Sequence, residues 1–233
     1  MLTTEALIGI TNKIRETIPM ENILEGAKVL EFIDMGHGGI INGEYTTAPK
    51  KMYDHGEFIF YEGVWTRVLG WMYALDLYTN NLSYSVVSPG NKDRSIWERY
   101  SKANAIAKAV KGRIKTYYHS IHGNAFGLES ANGIEVFTAP GLSDADPIAT
   151  VALRNIHIAT GWKRRTDFSD GDPDKEARFG VLVNTSMPAL LTENGFYTNL
   201  AECKKMLEYN TIQALSRAFL DTHLTVLHKK MLS

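Results

Sequence analysis

Hydrophobic positions recur along the chain with two spacings, one typical of helices and one typical of strands. Residues 4–18 place leucine and isoleucine side chains near one face of a helix. Residues 29–33, Val-Leu-Glu-Phe-Ile, form a short β-branched and aromatic run, which favours a strand. The region from Gly36 to about Phe58 is rich in glycine and is expected to be a loop.

The same two patterns continue to the C-terminus. Further helices are predicted over residues 61–79, 94–110, a stretch from about 146, 200–209 and 211–229. Further strands are predicted over residues 84–87, 114–121, 133–138, 181–183 and 189–192. Asp93 is expected to cap the helix that follows it. The polar stretch 161–178, which contains Asp170-Gly-Asp-Pro173, is expected to be a long loop.

Strands and helices therefore alternate, as they do in an α/β domain. The chain contains no internal repeat, no low-complexity tract and no linker rich in proline and serine. Its 233 residues are enough to bury one sizeable core. We therefore expect a single α/β domain.

Composition excludes several classes of protein. The chain has 25 Lys+Arg and 26 Asp+Glu, a net charge of -1, so binding to nucleic acid through overall charge is not expected. No apolar run approaches the roughly 20 residues of a membrane span. The single cysteine, Cys203, excludes an internal disulfide and a cysteine-based zinc site. No basic segment followed by a long apolar segment opens the chain, so we expect synthesis in the cytoplasm without an export signal.

Two histidines and one glutamate follow directly on predicted strands. His37 comes after the first strand, His122 after the strand that begins near residue 114, and Glu193 after the last strand. Ligands in open α/β sheets collect beyond the C-terminal ends of strands, so these side chains are expected to converge. Glu62, at the start of a predicted helix, can reach the same crevice.

This mixture of residue types suits a catalytic zinc site. Zinc in enzymes commonly uses three protein ligands, and two histidines with one glutamate are a frequent set. His37, Glu62 and His122 are the predicted ligands, and Glu193 is the predicted general base, which returns a proton to the leaving amine. Because a long loop precedes Glu62, Glu57 within that loop is kept as the alternative ligand.

Four motifs occur in order along the chain: Asp34-x-Gly-His-Gly-Gly39, Glu62 at a helix start, Ser120-Ile-His-x-Asn124 and Glu193-x-Gly-Phe-x-x-Asn199. Two weaker ones are Ser95-Ile-Trp-Glu-Arg99 followed by Ala103-Asn104, and Gly133-Ile-Glu135-Val. This ordered set resembles the zinc-dependent N-acetylmuramoyl-L-alanine amidases of the type 3 family. The chain departs from the family at Met35, where proline is usual, and at Asn194, where a small or apolar residue is more common.

The resemblance implies a three-layer fold in which helices flank a twisted, mostly parallel mixed sheet. It implies Zn²⁺ held by His37, Glu62 and His122, with Glu193 as the catalytic residue. The implied reaction cleaves the amide between the lactyl group of N-acetylmuramic acid and the L-Ala of peptidoglycan. The expected catalytic domain covers residues 28–233.

Other residues receive less direct roles. Residues 1–27 are expected to be a helical extension. Asn124 and Glu135 lie within or beside the matching motifs and are candidate substrate-binding residues; Glu135 is alternatively a partner of a metal-bound histidine or a solvent-facing residue. Arg99 is expected to support the fold through a carboxylate. Lys163-Arg-Arg165 is either a solvated charge run or a contact for carboxylates of the stem peptide.

The remaining histidines are not expected to bind metal. His119 lies three residues before His122, so on a strand it faces the opposite side of the sheet. The others at helical positions are expected to be packed or solvated, and they are His157, His223 and His228. His55, in the long loop, is kept as a possible substrate contact.

The leading hypothesis from the sequence is a zinc amidase whose partner is peptidoglycan, made in the cytoplasm as a phage lysin and acting on the cell wall. Two rivals remain open. One is another zinc hydrolase such as a carboxypeptidase, although His37-Gly-Gly-Ile40 lacks the glutamate of the usual His-x-x-Glu pair. The other is a wall-binding or virion protein that keeps the fold without the activity. The sequence leaves the oligomeric state open.

Overall fold

The computed structural model describes residues 1–232, and its elements alternate between strand and helix. The helices are α1 (Thr4–Thr17), α2 (Glu62–Thr79), α3 (Ile96–Val110), α4 (Asp146–Thr160), α5 (Gly180–Val183), α6 (Leu200–Met206) and α7 (Tyr209–Lys229). The longer strands are β2 (Val29–Met35), β7 (Ser83–Val86), β8 (Lys115–Asn124), β9 (Ile134–Thr138) and β11 (Ala189–Phe196). The short strands are β1 (Glu21–Asn22), β3 (Ile40–Ile41), β4 (Glu44–Tyr45), β5 (Met52–Asp54), β6 (Ile59–Tyr61) and β10 (Lys175–Glu176).

Seven strands form the central sheet, in the order β1-β7-β2-β8-β11-β9-β10. Four of the six neighbouring pairs are parallel, from β7 through β2 and β8 to β11, and between β9 and β10. The pairs β1–β7 and β11–β9 are antiparallel. The prediction of a mostly parallel mixed sheet is therefore confirmed.

Helices cover both faces of this sheet and complete the predicted three layers. The larger core lies between one face and α1, α2, α4 and α7, and it includes the fully buried Trp65 and Trp71. The smaller core lies between the other face and α3 with α5. Strand β2 contributes side chains to both cores, because Leu30 and Phe32 face the smaller core whereas Ile33 faces the larger one. Within residues 1–232, no helix combines the length and apolar character needed to cross a bilayer.

The N-terminal extension is helical, as predicted, and packs on the domain. The hydroxyl of Thr3 accepts a hydrogen bond from the amide of Ala6 and caps α1. Leu7, Ile14 and Ile18 belong to the larger core, where α1 packs against α2. The division between residues 27 and 28 stays a prediction.

Four local predictions were wrong. Residues 181–183 form part of helix α5, not a strand, because the amides of Leu182 and Val183 donate to the carbonyl of Phe179 and the side chains of Val181 and Leu182 pack in the smaller core with α3. Helix α3 is capped by Ser95, in a reciprocal capping box with Glu98, and not by Asp93.

The third concerns the loop before α2, and the fourth concerns the end of β11. The region from Gly36 to Phe58 contains most of two hairpins, β3–β4 and β5–β6. Strand β11 continues to Phe196, so Glu193 lies within the strand and not beyond it. Pairing with β8 shifts register between Glu193 and Phe196.

Asp174, just before β10, is a buried acid with an unusual environment. Its Oδ2 accepts a hydrogen bond of 2.9 Å from the hydroxyl of Thr138, and no described residue hydrogen-bonds to its Oδ1. Burial, followed by the adjacent carboxylate of Asp172, raises the pKa of Asp174 to about 8. The carboxylate of Asp146 adds to this effect. The native state therefore keeps a proton that the unfolded state loses near pH 4.

This proton makes the free energy of unfolding depend on pH. Between the ordinary pKa of an aspartate, about 4, and the raised value, the native state binds more protons, so stability falls as pH rises. Asp174→Asn stays neutral, and its amide can donate to Asp172. We expect the melting temperature of this variant relative to the wild type to increase from about pH 5 to about pH 8.5. Asp170→Asn, an exposed control in the same loop, should show no such trend, and a constant difference for Asp174→Asn would contradict the assignment.

Candidate metal centre and active site

Three potential metal ligands come together beside the central strands. His37 lies in the loop after β2, Glu62 is the first residue of α2, and His122 lies near the end of β8. Oε1 of Glu62 is 3.0 Å from Nδ1 of His122 and 3.4 Å from Nε2 of His37. One potential ligand atom from each residue lies within 4.8 Å of the other two. The structure thus brings together the three predicted ligands.

Close backbone packing around this cluster requires glycine at two positions. A Cβ atom added to Gly36 would lie 2.3 Å from the ring of His122, and one added to Gly63 would lie 1.7 Å from the carbonyl oxygen of Gly38. His37 has a φ of 63°, in the left-handed region that residues with side chains seldom adopt. The glycines therefore allow the His37 loop and α2 to approach each other and β8.

Two polar atoms of the cluster are buried without a protein partner. No described residue hydrogen-bonds to Nε2 of His37 or to Oε2 of Glu62. An unsatisfied buried polar atom costs about 1–3 kcal/mol, and a metal ion would remove that cost. Two imidazoles and one carboxylate are a common donor set for catalytic metal sites. The residues present therefore fit a metal ion.

Electrostatics favour the protonation states that ligate metal. Burial raises the pKa of Glu62, but the hydrogen bond with His122 and the nearby imidazole of His37 outweigh burial, and its pKa lies below the usual range. Burial lowers the pKa of His122. An ionised carboxylate and a neutral imidazole are the forms in which these side chains bind metal.

The alternative ligand in the preceding loop lies elsewhere. Glu57 is exposed, and its carboxylate accepts a hydrogen bond of 3.0 Å from Lys204. His55 contacts the carbonyl oxygen of Tyr197 through Nε2 at 2.9 Å. Among residues 1–232, neither joins a group that could hold a metal ion, whereas Glu62 does.

Glu193 lies beside the cluster on β11, the strand adjacent to β8. It is the register partner of His122, so the two side chains emerge on the same face of the sheet. No described residue hydrogen-bonds to its buried Oε2. Burial, followed by the carboxylate of Glu62, raises the pKa of Glu193 well above its usual range. A raised carboxylate pKa is typical of groups that exchange protons near neutral pH.

The two candidate substrate-binding residues contact each other. Asn124 donates a hydrogen bond of 2.7 Å to Oε2 of Glu135. Oε1 of Glu135 forms ion pairs with Arg165 at 2.8 Å and Lys175 at 2.7 Å. Burial opposes ionisation of Glu135, but the hydrogen bonds from Lys175 and Arg165 prevail and lower its pKa. The hydrogen bonds of Glu135 are thus made to Asn124, Arg165 and Lys175 and not to a histidine of the metal cluster, so the interpretation as a histidine partner is wrong.

Comparison with known proteins identifies the family. The sequence model described as N-acetylmuramoyl-L-alanine amidase matches residues 32–222. The chain belongs to this family. It is 30% identical over 186 residues to the N-acetylmuramoyl-L-alanine amidase CwlM of Bacillus licheniformis, covering 80% of this chain and 64% of that relative. It is 32% identical over 120 residues to the sporulation-specific N-acetylmuramoyl-L-alanine amidase of Bacillus subtilis, covering 52% of this chain and 44% of the relative. The chain thus spans less than two thirds of either relative.

Solved structures share the fold of this amidase family member. The N-acetylmuramoyl-L-alanine amidase from Clostridium difficile 630 superposes with a TM-score of 0.69 at 24% identity, covering 88% of this chain and 99% of that one. The catalytic domain of CwlV from Bacillus (Paenibacillus) polymyxa gives 0.65 at 22% identity, covering 86% and 98%. These likenesses confirm the predicted fold class.

One residue that supports the candidate metal site was missed from the sequence. Arg67 on α2 is buried, and its guanidinium donates to the carbonyl of His37 at 2.7 Å, of Gly63 at 2.8 Å and of Gly90 at 2.9 Å. It thereby ties the His37 loop to the helix that carries Glu62. The arginine within the apolar stretch of α2 was the one signal in the sequence, but the carbonyl groups that it contacts depend on the fold and could not be read from it.

Arg99 on α3 supports the same region from the face of the sheet opposite α2. Its guanidinium donates to the buried carboxylate of Asp34 at 2.9 Å, and the hydroxyl of Ser120 donates to the same oxygen at 2.7 Å. The prediction that Arg99 supports the fold through a carboxylate is confirmed. These bonds join the ends of β2 and β8, from which His37 and His122 emerge.

His119 lies in a separate buried network, on the face that packs against α2 and α7. Its Nδ1 is 3.2 Å from Oε1 of Glu31, and its Nε2 is 3.0 Å from the hydroxyl of Thr192. His223 and Tyr117 also contact the Glu31 carboxylate. Burial opposes ionisation, but hydrogen bonds from His119 and His223 lower the pKa of Glu31 to about 2.

This arrangement predicts that His119 acts in stability and not in metal binding. His119→Ala leaves a buried carboxylate with one partner fewer, which should reduce the free energy of unfolding by about 1–3 kcal/mol. The metal content of the folded variant should stay equal to that of the wild type, as measured by elemental analysis. His157→Ala, which removes only a contact of 2.7 Å to the carbonyl of Trp162, should also keep the metal. Loss of metal from either variant would contradict the assignment.

Proposed function

We propose that the chain is a zinc-dependent hydrolase that cleaves the amide between the lactyl group of N-acetylmuramic acid and the L-Ala of the peptidoglycan stem peptide. The observation that carries this proposal is the convergence of His37, Glu62 and His122 with Glu193 beside them. Three potential ligands with unsatisfied atoms and one carboxylate with an elevated pKa are the components that metal-assisted amide hydrolysis requires.

The chain supplies the binding residues and the proton carrier. His37, Glu62 and His122 would hold the ion, and zinc, when bound, lowers the pKa of a coordinated water to about 7 and polarises a carbonyl oxygen. The Arg67 contacts and the Asp34–Arg99 pair fix the elements that present these side chains.

Glu193 carries the proton between the two halves of the reaction. Its free Oε2 accepts a proton from the attacking water as the oxygen bonds to the amide carbon. It then donates this proton to the nitrogen of L-Ala as the carbon–nitrogen bond breaks. The products are the lactyl carboxylate and a stem peptide with a new amino terminus. Burial and the carboxylate of Glu62 raise the pKa of Glu193, which makes it a stronger proton acceptor than an exposed glutamate.

The two rival functions lack a favouring observation. Ile40 occupies the position at which a His-x-x-Glu pair would need its acid, and Glu62 on α2 takes the third position of the cluster instead. A binding protein without activity would not need Glu193 to keep an unpartnered buried oxygen. Action as a phage lysin, made in the cytoplasm, stays a prediction of the sequence.

Product analysis on purified sacculi tests the proposed function. The zinc-loaded protein should release peptides with L-Ala at the amino terminus and leave glycan strands with a free lactyl carboxylate, as measured by mass spectrometry. Release of a single amino acid from the peptide terminus would point to a carboxypeptidase. Binding to sacculi without any cleavage would support the non-catalytic alternative.

A further inference from the structure

Beyond Glu193, the face of the sheet that carries the candidate active site continues to Glu135 and to the two cations that contact it, Arg165 and Lys175. His122, Glu193 and Glu135 are register partners on the adjacent strands β8, β11 and β9. Side chains directly opposite in an antiparallel pair have Cβ atoms about 4.5–5.5 Å apart. Glu135 therefore lies about one strand spacing from the proposed base, on the side away from the metal cluster.

Glu135 is saturated by its neighbours and does not itself need a ligand. Its two carboxylate oxygens accept from Arg165, Lys175 and Asn124 at 2.7–2.8 Å. Two cations share this one carboxylate, so the group as a whole carries one excess positive charge. We define Glu135, Arg165 and Lys175 as the cationic cluster.

Arg165 has hydrogen-bonding capacity to spare. Only its Nε contacts Glu135, and its side chain is 35% exposed. No described residue accepts a hydrogen bond from its terminal nitrogens. The guanidinium lies over the ring of Phe196, 5.1 Å from the centroid, a cation–π contact that helps to hold it in place.

The backbone of Arg165 is also fixed. Its amide donates to the carbonyl of Ile134 at 2.9 Å, and the amide of Ile134 donates to Lys163 at 2.8 Å. At Gly133 a Cβ atom would lie 2.3 Å from the carbonyl oxygen of Lys163, so the loop packs tightly against the start of β9. Arg165 is thus presented by a supported segment and not by a free loop.

We propose that Arg165, held by Glu135, binds the carboxylate of an acidic residue that follows L-Ala in the stem peptide. This inference rests on the proposed amide cleavage. A peptide advances about 3.3–3.6 Å per residue, so a carboxylate on the next residue lies about 4–7 Å from the scissile nitrogen. Glu135, which holds Arg165, is the register partner of Glu193, so the cationic cluster borders the position that this carboxylate would occupy. The two free nitrogens of a guanidinium suit a bidentate contact with a carboxylate.

Paired substrates test the inference. One is a muramoyl peptide whose second residue has a free carboxylate, and the other is the same peptide with that carboxylate amidated. The wild type should cleave the acidic peptide with a kcat/KM about 10–100-fold higher, because a hydrogen bond to a charged group contributes about 1.5–3 kcal/mol. Arg165→Gln should lose this preference while its cleavage of the amidated peptide stays within about threefold of the wild type.

Two further variants separate recognition from folding. Arg164→Gln removes the same charge at the neighbouring exposed position and should keep the full preference. Arg165→Lys keeps an ion pair with Glu135 but lacks the two terminal nitrogens of the guanidinium. It should therefore show only part of the preference for the acidic peptide. All variants should retain zinc, because none of these residues belongs to the metal cluster.

The outcomes distinguish this inference from the proposed function. An equal loss on both peptides in Arg165→Gln would overturn the recognition role and make Arg165 a support for the site. A wild type that cleaves both peptides equally would also overturn the inference and leave the proposed function intact. A zinc-loaded wild type that cleaves neither peptide would overturn the proposed function and the inference with it.

Discussion

Replacing Glu193 with glutamine is expected to reduce amidase turnover by about 10²–10⁴-fold, the usual contribution of a general acid–base group. Glutamine keeps the shape of the side chain but cannot accept the proton of the attacking water. The variant should fold, keep its zinc and bind peptidoglycan, since Glu193 is not one of the three potential ligands. The measurement is the initial rate of new amino termini from purified sacculi, normalised to the zinc content.

The control for this variant is Glu208→Gln, at an exposed position before α7, which should keep wild-type turnover. Near-normal turnover in zinc-loaded Glu193→Gln would exclude Glu193 as the proton carrier. Loss of zinc from the variant would instead make Glu193 a ligand and leave Glu62 for another role.

Replacing His122 with alanine is expected to remove the metal and, with it, the activity. The variant leaves His37 and Glu62 as two ligands where catalytic zinc sites use three. After dialysis the zinc content should fall from about one per chain towards zero, and the loss of turnover should be at least as large as for Glu193→Gln. Elemental analysis and the sacculus assay measure the two effects on the same sample.

Thermal unfolding of the His122→Ala variant shows whether it is folded, so that a loss of zinc is not mistaken for the result of misfolding. The matched control is His157→Ala, which removes a histidine from α4 and should keep both zinc and turnover. A folded His122→Ala protein that still holds one zinc per chain would contradict the ligand assignment. Addition of excess zinc should restore little activity, because the missing ligand weakens the site and does not merely empty it.

The sequence predicts the site best where short motifs coincide with strand positions. His37, His122 and Glu193 follow or lie in three strands that the sheet brings side by side, and their relative placement follows from the parallel order of β2, β8 and β11. Strand parity also places His119 on the face opposite His122. These predictions depend on short motifs and on the alternation of side chains along a strand, and the structure agrees with them because both are local properties of the sequence.

Glu62 was harder to predict because its position depends on a long-range packing contact. Two hairpins precede it, and the tight approach of Gly63 to Gly38 brings the start of α2 to the His37 loop. Neither feature has a local sequence signature, so Glu57 stayed an alternative until the fold was known. Arg67 ties the same two segments together, and the carbonyl groups that it contacts likewise depend on this packing.

The errors in secondary structure have a common cause as well. The run Val181-Leu-Val favours a strand by intrinsic propensity, but a strand there would have no partner, and packing on α3 selects a short helix instead. Asp93 is the cap that the sequence predicts for α3, but the reciprocal bond with Glu98 selects Ser95. At α5 a tertiary contact, and at the start of α3 a reciprocal side-chain bond, determines a structure that local sequence preference alone does not.

The most direct test of the metal assignment is anomalous diffraction at the zinc absorption edge from crystals of the wild-type chain. The account predicts one strong peak per chain at about 2.0–2.2 Å from a nitrogen of His37, an oxygen of Glu62 and a nitrogen of His122, with Glu193 outside this distance. A peak that Glu57 or His55 coordinates in place of Glu62, or an active protein with no peak at this cluster, would contradict it.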